Sequence, residues 1–251
     1  MPASTIQIIP VPGLPEIRPG DDIAGLIANH LRQLDFVVSA GDVFVVAQKI
    51  VSKAEGRVVS LNEIVPSQRA TEWAQKWDKD ARVIELVLRE SKTILRMERG
   101  IIVSETKHGF ICANAGVDAS NTAENTAVLL PENPDQSAHA LQDALQRVFD
   151  VRLGVIISDT FGRAWREGLV NVALGVAGLP ALIDYRGQRD GDGKLLNATL
   201  IGAADELASA AELVMGKADR VPVAIIRGFA PTAPQGTGRD LIRPKELDLF
   251  R

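Results

Sequence analysis

A chain of 251 residues, 46% of them hydrophobic, can bury a substantial core in one large or two small domains. Acidic residues outnumber basic ones, 32 to 28, and the formal charge of -4 gives no global attraction for nucleic acid or an anionic membrane, so an anionic ligand must meet a local basic site. The single cysteine, Cys112, excludes an internal disulfide framework and a multi-cysteine zinc site, and fits a reducing compartment, the cytoplasm by default.

Pro10, Pro12 and Pro15 break up the N-terminal stretch, which lacks the basic-then-apolar pattern of a secretory signal. No apolar run reaches the ~20 residues of a membrane-spanning helix. A soluble protein is expected. Short β-branched runs at 5–9, 43–47, 101–103, 155–157 and 221–226 read as largely buried strands. Between them, 67–98, 136–149 and 203–216 have helical composition and spacing. The pattern is mixed α/β, without the regular alternation of a barrel or the fixed period of a repeat. Loop signals gather at 10–22, 104–121, 158–168, 185–194 and 228–240, where binding groups are expected.

Four stretches could carry chemistry. In GDVFVVAQKIVSKAEGR an apolar run leads to Gln48, Lys49 and Lys53, and Lys53 either neutralises a polyphosphate or is simply solvated. In HGFICANAGVDASN, Asp118 and Asn121 follow Gly116 in a small-residue stretch that either admits a ligand to the backbone or forms an ordinary Asx turn. In LGVIISDTFGRAWREG, Asp159 and Thr160 end an apolar run ahead of Arg163 and Arg166; such oxygens can bind Mg²⁺ or Mn²⁺ with phosphate partners, and the alternative is a turn cap. In IDYRGQRDGDGKLL, Arg186 and Arg189 form either an anion clamp or part of a solvated hairpin. The phosphate-loop and dinucleotide fingerprints are absent, and His30, His108 and His139 are scattered. Cys112, in an apolar run, reads as core.

Taken in order over nearly the whole chain, VPGLPEIRPGDD, VVAQKIVSKAEGR, AGVDASN, ISDTFGRAWREG, YRGQRDGDGKLL, ADELASAAELVMGK and VPVAIIRGF resemble the coenzyme F420-0:glutamate ligase family. The likeness is to its bacterial type, including the ligase half of two-domain enzymes that add a flavin-binding, nitroreductase-like domain. The chain stops at Arg251, so neither that C-terminal domain nor a flavin function is expected. The resemblance implies an α+β fold in which residues 1–251 form one ligase unit of two intertwined α+β parts, assembled as a homodimer.

It also implies the reaction. GTP activates the lactyl carboxylate of F420-0 as an acyl phosphate, the glutamate amine attacks it, and F420-1, GDP and phosphate leave; further γ-linked glutamates are left open. The resemblance puts Asp118, Asp159 and Thr160 on two divalent ions, Mg²⁺ or Mn²⁺, with a monovalent cation such as K⁺ as a further cofactor. Leu14, Pro15, Glu16, Ile17, Gln48, Lys49, Lys53 and Asn121 would meet GTP, with Met215, Gly216, Lys217, Ala218 and Asp219 closing over it. Lys53 and Asp159 are the catalytic candidates, by the general logic of phosphoryl transfer. Arg163, Arg166, Arg186 and Arg189 are candidates for the acceptor and glutamate carboxylates, and Glu55 and Asp184 for the base that deprotonates the amine. The resemblance also marks a departure, since archaeal-type members can carry an oxygen ligand in the loop where this chain has Lys217. Either the second metal loses that ligand here or the ammonium replaces its charge, and Lys217 is assigned to nucleotide. The rival readings are a ligase for a related acceptor, such as a phosphoglycerate-type F420 precursor, and a non-catalytic precursor-binding protein.

Overall fold

The β-branched runs at the centre of the main sheet become strands because both of their faces find apolar cover. The computed structural model describes residues 5–119, 124–230 and 233–249. β1 (Gln7–Pro10) is followed by α1 (Ile23–Gln33), whose N-cap, Asp22, accepts from the Gly25 N–H at 3.0 Å. β2 (Val43–Ala47) runs straight into α2 (Gln48–Ala54), and β3 (Val58–Ser60), α3 (Gln68–Trp77), α4 (Ala81–Glu90), β4 (Ser91–Glu98), β5 (Ile101–Thr106), β6 (Ile111–Ala113) and β7 (Thr126–Val128) follow. α5 (Pro134–Phe149), β8 (Gly154–Arg163), β9 (Arg166–Ala177), β10 (Ile183–Asp184), β11 (Leu200–Ile201), α6 (Ala203–Met215) and β12 (Val223–Arg227) complete the order. The class is α+β. No helix among the described residues is long and apolar enough to cross a membrane.

The main sheet has the order β1-β12-β2-β8-β9, and its pairs are antiparallel except β2 with β8. Alternate residues of its strands serve opposite cores. Phe44, Val46, Val155, Ile157 and Ile225 pack with α1 and α5 through Ile27, Leu31, Leu141 and Leu145. Val43, Val45, Ile156, Ala224 and Ile226 pack with α6 through Leu207, Ala208 and Ala211. A strand buried on both faces must read as a continuous apolar run, which is why VFVVA and VII are so plain in the sequence. A third core lies between β3 and β7 in the chain, where α3 and α4 bury Ala70, Ala74, Ile84 and Val87 with Ile102 of β5.

Four sequence expectations differ from this structure. The runs at 5–9 and 101–103, expected as largely buried, leave Ile6 and Ile101 exposed, the first because β1 is an edge strand and the second because β5 belongs to a separate three-stranded sheet. Residues 91–98, expected as helix, form β4; α4 ends at Glu90, the Ser91 hydroxyl donates back to the Val87 carbonyl at 2.6 Å, and the next residues pair with β5. Residues 158–168, expected as loop, belong largely to an antiparallel β8–β9 ribbon, because cross-strand pairing continues past the apolar part of β8. Helices α1 and α2 were absent from the sequence reading, although Ile23, Ile27 and Leu31 recur at helical spacing and are buried.

The N-terminus of α5 presses directly on β9. The Asp135 carboxylate accepts from the Val176 N–H at 3.0 Å and from the Gly238 N–H at 2.6 Å, and a Cβ on Gly175 would lie 2.0 Å from the Pro134 carbonyl oxygen. Backbone cannot yield there as a flexible side chain could. Gly175→Ala is therefore expected to lower stability by about 3 kcal/mol in urea denaturation. Gly191→Ala, where nothing lies within 4 Å of the added Cβ, is the control and should move it by less than about 0.5 kcal/mol.

Candidate functional site

Parallel strands β2 and β8 end side by side, Ala47 opposite Ser158, and a cavity of about 1030 Å³ opens beyond their C-terminal ends. That is where open sheets with parallel strands commonly bind ligands. The cavity is lined by the Leu14–Ile17 loop, the start of α2, the segment around Asp118, the end of β8 and the chain following α6.

Asp159 stands at the centre of this arrangement. Its carboxylate accepts hydrogen bonds from the Gln48 side chain and the Thr160 N–H, yet burial pushes its pKa from 3.8 up to about 6, with nearby Asp118 adding to the rise and Lys217 opposing it. Gln48 is itself buried, and its amide oxygen accepts from the Ser52 hydroxyl at 2.9 Å, which leaves the NH₂ for Asp159. A half-buried, partly desolvated carboxylate beside a second one is the electrostatic setting that a cation relieves.

Asp118 reaches the cavity from the third core. It follows three consecutive residues in the left-handed region, Asn114 (φ 52°), Ala115 (φ 51°) and Gly116 (φ 70°), a conformation unfavourable for the first two. The turn is held by the Asn114 side chain, which accepts from the Ile102 N–H at 3.3 Å, and by backbone pairing of Asp118 with Val128. A Cβ on Gly116 would lie 2.6 Å from Leu130. Across the cavity the Asp118 carboxylate pairs with Lys49 at 2.5 Å.

Residue Thr160 turns to the opposite face from Asp159 and pairs across the ribbon with Asn171. Its hydroxyl donates to the Asn171 amide oxygen at 2.7 Å, Asn171 donates to Glu212 of α6 at 2.8 Å, and the Lys217 ammonium donates to the Thr160 oxygen. On the other side of the cavity, Lys53 pairs with Glu16, tying the Leu14–Ile17 loop to α2 and lowering the Glu16 pKa.

The structure thus brings together Leu14, Pro15, Glu16, Ile17, Gln48, Lys49, Lys53, Asp118, Asp159, Thr160, Met215, Gly216, Lys217 and Ala218. Asn121 lies outside the described residues. Asp219 is off the cavity lining, as are Arg163, Arg166, Arg186, Arg189, Glu55 and Asp184. Arg163 donates to the carbonyls of Glu167 and Gly168, and Arg189 to that of Gly193 at 2.5 Å. The Arg186 guanidinium is taken by Asp184 and holds that carboxyl down to about 2, unsuited to a base near neutral pH. Glu55 accepts from the Ser137 hydroxyl. Cys112 is buried at the edge of the cavity, and burial pushes its thiol up to about 12.

Sequence reasoning missed Asn171, Glu212 and Ser158, all of which line the cavity. The Ser158 hydroxyl is buried with no hydrogen-bond partner among the described residues, a polar group suited to a ligand. Asn171 had one available signal: it is the sole polar side chain within the otherwise apolar run LVNVALGV.

No set of three His, Cys, Asp or Glu residues gathers into a metal-holding cluster among the described residues. The carboxylates of Asp118 and Asp159 nonetheless suit a hard divalent ion that takes one or two carboxylates and completes its shell with phosphate and water, whereas the Thr160 oxygen, expected on a metal, meets the Lys217 ammonium here. Asp159, half-buried on the cavity wall beside Asp118 with its charge incompletely compensated, is the observation that supports the fit.

A family model described as F420-0:Gamma-glutamyl ligase matches residues 13–228. A protein of Methanothermobacter thermautotrophicus named Coenzyme F420:L-glutamate ligase is 48% identical over 249 residues, covering 98% of this chain and 99% of its own. Proteins of the same name from Methanopyrus kandleri and Methanocaldococcus jannaschii are 46% and 44% identical, covering 98% and 95% of this chain and 98% and 94% of their own. All three organisms are archaea, whereas the sequence blocks suggested a bacterial-type likeness. With the match spanning the loop, strand ends and helix that build the cavity, the chain belongs to the F420-0:gamma-glutamyl ligase family.

Proposed function

We propose that this protein joins L-glutamate to a coenzyme F420 precursor of the F420-0 type, using GTP and a divalent cation in an acid–amine ligation. The observation that carries the reading is the pair of carboxylates, Asp118 and Asp159, facing one large cavity ringed by lysines. Its lining holds four acidic residues (Glu16, Asp118, Asp159, Glu212) and four basic ones (Lys49, Lys53, Lys217, Arg220). That formal balance cannot neutralise a nucleoside triphosphate, so further positive charge must arrive with it. Asp118 and Asp159 would hold Mg²⁺ or Mn²⁺, which would supply this charge at the phosphates.

The chain's own groups do the remaining work. Lys53, released from Glu16, and Lys49, released from Asp118, are placed to meet phosphate oxygens. An acceptor carboxylate oxygen bonds to the γ-phosphorus as the bond to the β-phosphate bridge breaks and GDP leaves. The glutamate amine, its ammonium proton given up to solvent, then bonds through nitrogen to the acyl carbon while the acyl C–O bond to phosphate breaks, and a second N–H proton leaves with the phosphate. Gln48 holds Asp159 in orientation through these steps, and the Leu14–Ile17 and 215–218 segments flank the nucleotide and shed water from it. We also propose a homodimer; Trp165 and Leu169 are 78% and 66% exposed near the tip of the β8–β9 ribbon, Leu169 also lining the cavity, and a second copy would cover them.

Incubation with F420-0, glutamate, GTP and Mn²⁺ should give a glutamyl adduct by mass spectrometry, absent without metal and weak with ATP; an adduct formed equally well without metal would defeat the reading. Asp159→Asn should lower turnover more than about 100-fold. The same substitution should stabilise the ligand-free protein. Because burial raises the Asp159 pKa from 3.8 to about 6, the folded state is penalised as pH rises through that window, by about 3 kcal/mol above it and by nothing well below it. Asp159→Asn should therefore unfold at a higher temperature than wild type at pH 8, and the gap should close near pH 4. Sedimentation should give twice the 27.0 kDa chain mass, falling to that of one chain when Trp165 and Leu169 are both changed to Glu.

A further inference from the structure

A directed run of hydrogen bonds ends on the Lys217 ammonium. The Glu212 carboxylate only accepts, so the Asn171 amide presents its NH₂ to it at 2.8 Å. The Asn171 carbonyl is thereby turned to Thr160 and takes the hydroxyl proton at 2.7 Å. Asn171 is 4% exposed, and burial leaves it no solvent alternative for either group. The Thr160 hydroxyl has one proton, already committed, so its oxygen faces the cavity with lone pairs alone. An oxygen fixed in that way is built for a cation, and the group that meets it is the Lys217 ammonium, with Glu212 Oε1 3.8 Å from it and the Asp159 charge nearby.

The placement of Lys217 is anchored although most of its stem is exposed. Met215, 3% exposed, fixes the end of α6 in the core, and Gly216 at φ 59° turns the chain so that the next side chain points back along β8. As an exposed ion pair the contact adds little stability. Its effect is to set a positive charge at one end of the phosphate-binding cavity.

We propose that Lys217 is the second cation of this site: its ammonium holds the Thr160 position permanently, and the protein takes one divalent ion, between Asp118 and Asp159, where two would otherwise bind. This rests on the nucleotide and metal reading above. Close to the Asp118–Asp159 position, in a lining that is balanced once Glu16, Lys53 and Arg220 are counted, Asp118, Asp159 and Glu212 carry three negative charges against the two positive charges of Lys49 and Lys217. One divalent ion turns that balance to +1, enough to draw phosphate, whereas a second would stand against an ammonium already bonded to the same oxygen.

Manganese counting tests this on the full chain. Protein is titrated with Mn²⁺ in the presence of a non-hydrolysable GTP analogue, bound ions are counted by equilibrium dialysis, and Mn–Mn coupling is read by electron paramagnetic resonance. Wild type should bind one Mn²⁺ per chain without coupling, Lys217→Arg should also bind one, and Lys217→Gln, which offers a neutral oxygen, should bind two with a coupled signal. Two coupled ions in wild type, or one or none in Lys217→Gln, would overturn the proposal while leaving metal-dependent ligation intact. Absence of any nucleotide-dependent Mn²⁺ in wild type would defeat the metal reading itself, and this inference with it.

Discussion

Two parallel strands that end together impose the geometry on which the site depends. β2 and β8 pair in register up to Ala47 and Ser158, so the first residue of α2, Gln48, comes to lie beside Asp159. That carboxylate lines the cavity half-buried, where partial desolvation makes its charge unfavourable, and the Gln48 amide only partly compensates. A cation bound there, as proposed, would relieve that desolvation. The cavity, the lysines around it and the tie between Lys53 and Glu16 are arranged about that position.

The second carboxylate comes from elsewhere in the fold. Asp118 belongs to the part of the chain built on the third core, and it is presented by a turn whose Asn114 and Ala115 adopt an uncommon left-handed conformation. The unfavourable backbone there is held by Asn114 bonding to β5 and by the pairing of Asp118 with Val128. The two carboxylates thus approach each other because two separately cored parts of the chain meet at one cavity. Lys49 spans the gap, bonding to Asp118 from the helix that begins beside Asp159.

Polar residues placed inside apolar elements finish the site. On β8 alternation sends Asp159 to Gln48 and Thr160 to Asn171, so neighbouring residues address two different partners. The helix α6 contributes packing through Leu207, Ala208 and Ala211 and chemistry through Glu212, one turn before the chain leaves toward Lys217. The arginines of the 185–194 region are satisfied locally, Arg186 by Asp184 and Arg189 by a carbonyl, and so they stay apart from the cavity.

The sequence by itself determined the main sheet and much of the site. Runs such as VFVVA and VII had to be buried, since strands covered on both faces tolerate no polar alternation, and the small-residue and strand-end signals at Asp118 and Asp159 marked local constraints that a short stretch of chain can express. Only the tertiary structure decided that 91–98 pairs as a strand, that 158–168 continues as a ribbon, and that Asn171 and Glu212 stand behind Thr160. Each of those outcomes depends on a partner distant in the chain: β5 for β4, β9 for the end of β8, α6 for Asn171. Local propensity reports how one segment prefers to fold, whereas cross-strand pairing, the direction of a buried hydrogen bond and the charge met by a lysine are set by what is packed against them.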